Sequence, residues 1–223
     1  MSTRIAYKPT EPNKMFNGLV SQEIQRVVAE GVASQYRRAY KDCYGNDAFA
    51  QEEARDLLPY VRRAYIEGIM PDIAARLSGW KACTAENKAK NCSHRLVIGE
   101  GIVISESKVE ERETLPREAE FRRGYARSPQ MVFEFMKDQE SAELDGQLTL
   151  YAIIVHMPRA EDKGVPEFID IVFPDRDYGE IVDRIRLLEK FADLVPKEGQ
   201  GVEEVPDEAD IGVLPRIREI PRA

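Results

Sequence analysis

The sequence predicts an α+β fold. An N-terminal helical hairpin comes first, then a small mixed or antiparallel sheet covered by a C-terminal helix, and then an extended C-terminal arm. Three observations carry that expectation. Apolar residues recur at helical spacing from Val20 to Cys43 and again from Ala54 to Ile69. Beyond Ser93 the period gives way to short β-branched runs separated by glycine-containing turns. Beyond Pro196 the density of proline, glycine and acid exceeds what a regular core element tolerates.

In the first stretch Val20, Ile24, Val27, Val28, Val32, Tyr36, Ala39, Tyr40 and Cys43 share one helical face, and Arg37, Arg38 and Lys41 lie off it. Gly45-Asn46 supplies the stop. A second helix from near Asp47 carries Ala54, Leu57, Leu58, Val61, Tyr65 and Ile69. Pro59 lacks an amide hydrogen, so a kink there, or a helix start just before it, is expected. Pro71 suits the first turn of a third, short helix through Leu77, closed by Gly79. Two long helices joined by a short loop pack as an antiparallel pair. Trp80 to Ser93 is rich in Lys and Asn, has no period, and reads as a loop. It separates a helical region, 1–80, from an α+β region, 81–195; a composition shift alone leaves open whether these are one domain or two.

Arg95–Ile98 and Ile102–Ile104 flank Gly99-Glu100-Gly101 and predict two strands about a turn, or one long strand bulged at glycine. Pro116 opens a short helix through Glu120 and Arg123, and Met131–Met136 reads as strand or helix. Leu148–Met157 is the strongest strand of the chain. Phe168–Phe173 is another, and Pro158 to Pro166 connects the two. Asp177 followed by Glu180 resembles a capping box, so Ile181, Ile185, Leu188 and Ala192 predict the covering helix. Residues 196–223 form the arm.

Composition narrows the function classes. The 223 residues are 43% hydrophobic and 32% charged, within the range of folded domains. No apolar run approaches the roughly 20 residues of a membrane span, and residues 1–17 lack the apolar centre of a secretory signal. Three cysteines, widely spaced, suit reduced thiols, so a cytoplasmic location without a membrane partner is expected. A net charge of −8 disfavours non-specific nucleic-acid binding over the whole surface. Cys83, Cys92 and His94 share one segment, but the spacing is too wide for a zinc finger and no second ligand pair follows.

Two clusters carry chemistry. Ile102, Ile104, Glu106 and Lys108 fall on one face of a strand. Glu106-Ser107-Lys108 is similar to the Glu-x-Lys core of the restriction-nuclease-like site, where a carboxylate binds Mg²⁺ and a lysine orients or activates water. That resemblance implies further metal-binding acids; Glu100, Asp145 and Asp170 are the donors available, and Glu100 lies only six residues upstream in a turn. A solvated edge strand is the competing reading. The second cluster, Arg117, Phe121, Arg122, Arg123, Tyr125 and Arg127, reads as a solvated surface with weak ion pairs, because Glu118 and Glu120 interrupt its charge, or as a protein interface or a phosphate-and-base grip. Arg37-Arg38 and Arg62-Arg63 would form one basic ridge if the helices run antiparallel. His156 closes the strongest strand, a position where sites occur, and more commonly serves structure there.

The arm ends in an extended, proline-spaced peptide whose Ile211, Val213, Leu214, Ile217 and Ile220 cannot bury themselves. The sequence therefore leads to a non-enzymatic binding or assembly subunit. It would need no cofactor and would act through protein contacts, homo-oligomeric or heteromeric, with the arm docked on a partner subunit. The alternatives are a Mg²⁺-dependent nuclease using Glu106 and Lys108, and a nucleic-acid-binding regulator using the arginines.

Overall fold

The structure, a computed structural model, describes residues 12–86, 93–127 and 150–194. Three helices come first, α1 (Pro12–Leu19), α2 (Gln22–Tyr44) and α3 (Gln51–Ala75). Strands β1 (Lys81–Glu86), β2 (Ser93–Gly99) and β3 (Ile102–Lys108) precede α4 (Glu120–Arg127). Then follow β4 (Leu150–Pro158), β5 (Pro166–Pro174), β6 (Ile181–Arg186) and a single turn, α5 (Leu187–Lys190). The fold is α+β, as the periodicities require. The segment 131–136 and the arm, 196–223, lie outside the described residues.

Helix α2 is bounded by local chemistry. The Ser21 hydroxyl accepts the Ile24 amide at 3.3 Å, and the Gly45 amide closes the last turn on the Lys41 carbonyl at 2.7 Å. Its buried face includes Ile24, Val28, Val32, Tyr36, Ala39 and Cys43. Helix α3 runs through both Pro59 and Pro71, so no helix starts at Pro59 and no separate third helix starts at Pro71. Each proline removes one hydrogen bond. Leu58, Arg62, Ile66, Met70, Ile73 and Ala74 are nevertheless all buried, and that tertiary packing outweighs the local cost.

The six strands lie in chain order across one sheet. Neighbours are antiparallel except β3 and β4, which are parallel and joined by the crossover that contains α4. Alternation sends Ile102, Ile104, Ala152, Ile154, Ile171 and Phe173 to the face packed under α1–α3. Val103, Tyr151, Ile153, Val155 and Val172 go to the other face, covered by Val109, Tyr125 and Tyr178. The result is three layers with the helical pair on one side.

Two further elements differ from the sequence reading. The expected loop from Trp80 to Ser93 contains β1, paired along its length with β2 from Lys81↔Ile98 to Glu86↔Ser93. As an edge strand carrying Ala82, Cys83 and Ala85, it has too little apolar bulk to give a signal. The expected helix over 177–192 is reduced to α5, and residues 181–186 form β6. The apparent cap is a turn device: Asp175 Oδ1 accepts the amides of Gly179 and Glu180 at 2.6 and 3.1 Å. Covering the sheet falls mainly to α2 and α3. Between β2 and β3 the hairpin reading holds, with Glu100 (φ 44°) and Gly101 (φ 82°) both left-handed in a two-residue turn.

Trp80 packs flat against Gly99. A Cβ added there would stand 2.3 Å from Trp80 Cγ, far inside contact distance. Gly99→Ala is therefore expected to cost about 2–3 kcal/mol. Urea unfolding checks this, and an unchanged midpoint would contradict the packing.

Candidate functional site: a cleft at a fork in the sheet

The β2–β3 ladder joins Val97–Gly99 to Ile102–Ile104 and goes no further. Beyond it β2 stays on β1, and β3 stays on β4 out to Lys108↔His156. The sheet thus forks, with α3 over one side of the opening and α4 over the other. A cleft of about 860 Å³ fills this fork, reaching from Tyr60 and Arg62 on α3 to Phe121 and Arg122 on α4.

The parallel pair brings three side chains into line on the helical side. The Tyr36 hydroxyl lies 2.8 Å from His156 Nδ1, and His156 Nε2 lies 3.1 Å from Glu106 Oε2. Tyr36 and His156 are almost wholly enclosed, whereas Glu106 and His156 line the cleft. One proton arrangement satisfies all three groups around a neutral ring: Tyr36 donates to Nδ1, and Nε2–H donates to the carboxylate. Burial above all, with a smaller contribution from the Glu106 charge, pushes the Tyr36 hydroxyl well above its ordinary range, so it keeps its proton.

Arg62 lies over the Tyr36 ring at 4.3 Å and is only 4% exposed. Its Nη2 donates to the Lys163 carbonyl at 2.6 Å, its Nε has no acceptor, and no carboxylate among the described residues pairs with it. Burial lowers its pKa. Arg122, on the facing wall, donates to the Arg117 carbonyl at 2.6 Å and to Ser107 Oγ at 2.8 Å. Its Nε also lacks an acceptor, and it too has no carboxylate partner among the described residues. The contrast within the molecule is sharp. Arg112 and Arg184, also half-buried or buried, both converge on Asp170.

The remaining wall is compensated. Glu67 pairs with Arg63 at 2.9 Å; burial raises its carboxyl pKa, Arg63 opposes the rise, and the Glu106 charge adds a little to it. His94 stacks on Phe121 with ring centres 3.9 Å apart. Burial, then the charges of Arg122 and Arg63, push its imidazole down to about 4, so it is neutral at pH 7.

Glu106 and Lys108 share a strand face, as expected, and both line the cleft; Lys108 Nζ reaches the exposed Glu110 at 2.9 Å. The proposed metal donors are not brought to them. Glu100 lies at the opposite end of β3, roughly 20 Å away at 3.3 Å per residue. Asp170 projects from the other face of the sheet. There it is fully buried and accepts Arg112 at 2.9 and 3.0 Å and Arg184 at 3.3 Å. Asp145 lies outside the described residues. Among the described residues no three His, Cys, Asp or Glu side chains converge as a metal-binding group. Another carboxylate of the cleft, Glu67, is already held by Arg63.

The Arg/Tyr segment turns largely inward. Tyr125 is core, Phe121 and Arg122 face the cleft, Arg123 pairs with Glu118, and Arg127 reaches Asp177 at 3.7 Å. Arg117, on the lead-in to α4, also lines the cleft. Val213, Leu214, Ile217 and Ile220 lie outside the described residues. Arg62 is buried, so Arg62-Arg63 and Arg37-Arg38 do not make a common basic ridge. Sequence reasoning missed Tyr36 and Arg62 as site residues. A signal existed for Arg62: it occupies an apolar-stripe position between Leu58 and Ile66, where a solvated arginine does not belong.

Fold and site together define a class, a three-layer α+β protein with an arginine-walled cleft that holds a carboxylate–imidazole–phenol chain. No family model, curated protein or solved structure matches this chain. Among the described residues no helix is long and apolar enough to cross a membrane.

Proposed function

We propose that the protein binds a nucleoside-phosphate group, free or at the end of a single strand, in the forked cleft. The observation that supports this is the pair of guanidiniums, Arg62 and Arg122, lining one cleft with no carboxylate partner among the described residues. An uncompensated buried charge costs several kcal/mol. Phosphate oxygens in the cleft would offset that charge, and the guanidinium fork matches them in geometry.

The volume is that of a site for a single small ligand. Tyr60, 75% exposed on the cleft wall, offers an aromatic face to a base. The net charge of −8, and Glu67, Glu86 and Glu120 in the lining, oppose a long polyanion laid across the surface. One phosphate-bearing group fits better than a duplex. Docking of the arm on a partner subunit rests on the sequence alone and is independent of this reading.

The test is titration of the full chain with AMP and, separately, with a short 5′-phosphorylated single-stranded oligonucleotide, followed by calorimetry. Binding that weakens with salt is expected. Arg62→Met is expected to weaken it about 10- to 100-fold, the value of a hydrogen bond to a charged group, without lowering the melting temperature. Binding of AMP identifies a free nucleotide, and binding of the oligonucleotide alone identifies a strand end. No binding of either, or wild-type affinity in Arg62→Met, overturns the reading.

A further inference from the structure

We propose that Glu106 is a general base that deprotonates a water for attack on the phosphorus of the bound nucleoside phosphate, with His156 and Tyr36 holding the carboxylate and Lys108 protonating the leaving oxygen. This rests on the binding reading above and adds a reaction to it. Glu106 Oε2 is fixed by His156, while Oε1 bonds to no described residue and is not among the enclosed atoms lacking a partner, so it is open to the cleft. A carboxylate with one oxygen anchored and the other facing a ligand space is the geometry a base requires.

Its support extends inward, away from solvent. The His156 ring is held at both nitrogens, by the Tyr36 hydroxyl at 2.8 Å and by the carboxylate at 3.1 Å, and is 1% exposed. Both ring nitrogens are occupied and the ring is enclosed, which restrains its rotation. The Nε2–H therefore stays directed at Glu106, and the carboxylate stays in one orientation. A histidine serving only the core would not need a carboxylate that opens on a cleft.

Lys108 stands two residues further along the same strand face, roughly 7 Å on by strand rise. Displacement at phosphorus places the attacking and leaving oxygens on opposite sides, so a base and an acid set apart on one rail can serve the two. The step balances. A water proton passes to Glu106 as its oxygen bonds to phosphorus. The bond from phosphorus to the leaving oxygen breaks, and that oxygen takes its electron pair and a proton from Lys108 Nζ. Glu106 then returns its proton to solvent and Lys108 regains one, so the sum is ester plus water giving acid plus alcohol. Arg62 and Arg122, on opposite walls, neutralise the charge that gathers on the phosphoryl oxygens.

The experiment uses the full chain with AMP and the 5′-phosphorylated oligonucleotide, with Mg²⁺ present as phosphate counter-ion, and measures bound ligand and released phosphate or nucleotide in the same samples. Glu106→Gln keeps the shape and the contact to His156. It is expected to bind within about 3-fold of wild type and to lose 10²- to 10⁴-fold in turnover. Tyr36→Phe, which keeps the ring and loses the hydroxyl, is expected to lower kcat about 10-fold with KM unchanged, a split that a general loss of folding would not give. Glu106→Asp is expected to recover part of the turnover. Wild-type protein that binds either probe but releases no product overturns the base assignment and leaves the binding reading standing. Undiminished turnover in Glu106→Gln also overturns it. Absence of binding overturns both.

Discussion

Asp170→Asn is expected to lower the free energy of unfolding by about 3 kcal/mol. Asp170 is fully buried on β5 and accepts two hydrogen bonds from Arg112 and one from Arg184. Removing one side of a buried ion pair costs about 3–5 kcal/mol, because the remaining charge stays enclosed and uncompensated. The lower end applies here. Arg112 retains Glu189 at 3.0 Å and Arg184 retains Glu113 at 3.0 Å, and both of those acids are exposed. The asparagine keeps the shape, so the loss reads the charge rather than a cavity. Urea unfolding at neutral pH gives the number, and a change below about 1 kcal/mol would mean that the two arginines find adequate solvent or partners on their own.

A second large effect belongs to His94 and depends on pH. Its imidazole is held down at about 4 by burial and by the neighbouring arginines, against an unfolded value near 6.5. Because the folded pKa is the lower one, the unfolded chain takes up the proton first as the solution is acidified. The contribution to stability is therefore complete above about pH 6.5 and is lost as pH falls toward 4. At 1.36 kcal/mol per unit the full span is worth roughly 3 kcal/mol. The measurement is the difference in unfolding free energy between pH 7 and pH 4.5, for wild type and for His94→Gln. Wild type is expected to lose about 2 kcal/mol more over that interval. Equal losses would show that His94 titrates normally in the folded protein.

Much of the fold was legible because burial imposes a period on sequence. The stripe from Ile24 to Cys43 and the apolar run of β4 each fill a continuous face or layer, and both were read correctly. What escaped lay where burial is partial. Strand β1 is largely exposed and has too little apolar bulk to mark its alternation, and β6 alternates weakly because Arg184 answers Asp170 on β5 rather than solvent. Pro59 and Pro71 do not start new helices because α3 is held by tertiary contacts that a local rule does not see.

The site was half legible for a related reason. That Glu106 and Lys108 share a face, and so border one cleft, follows from alternation along a single strand, a local relation. Tyr36, Arg62 and Arg122 belong to the site only because α2, α3 and the crossover converge on the same fork, which no spacing within one element encodes. Asp170 failed as a donor for Glu106 by parity: register places it beside Val155, whose side chain faces away from Ile154 and His156. A one-residue difference in pairing would have reversed that outcome.

The strand order carries a consequence for how the chain acquires its shape. Every antiparallel ladder joins segments adjacent in sequence and closes over a short connection, whereas β3 meets β4 only after residues 109–149 have been spanned. Closing that span is the entropically most expensive pairing of the sheet, so it is expected to set the slow step of folding. Glu106, Lys108 and His156 all stand on that one seam. The hairpins are thus expected to form before the cleft exists, and ligand binding would report the arrival of the last seam rather than the first collapse.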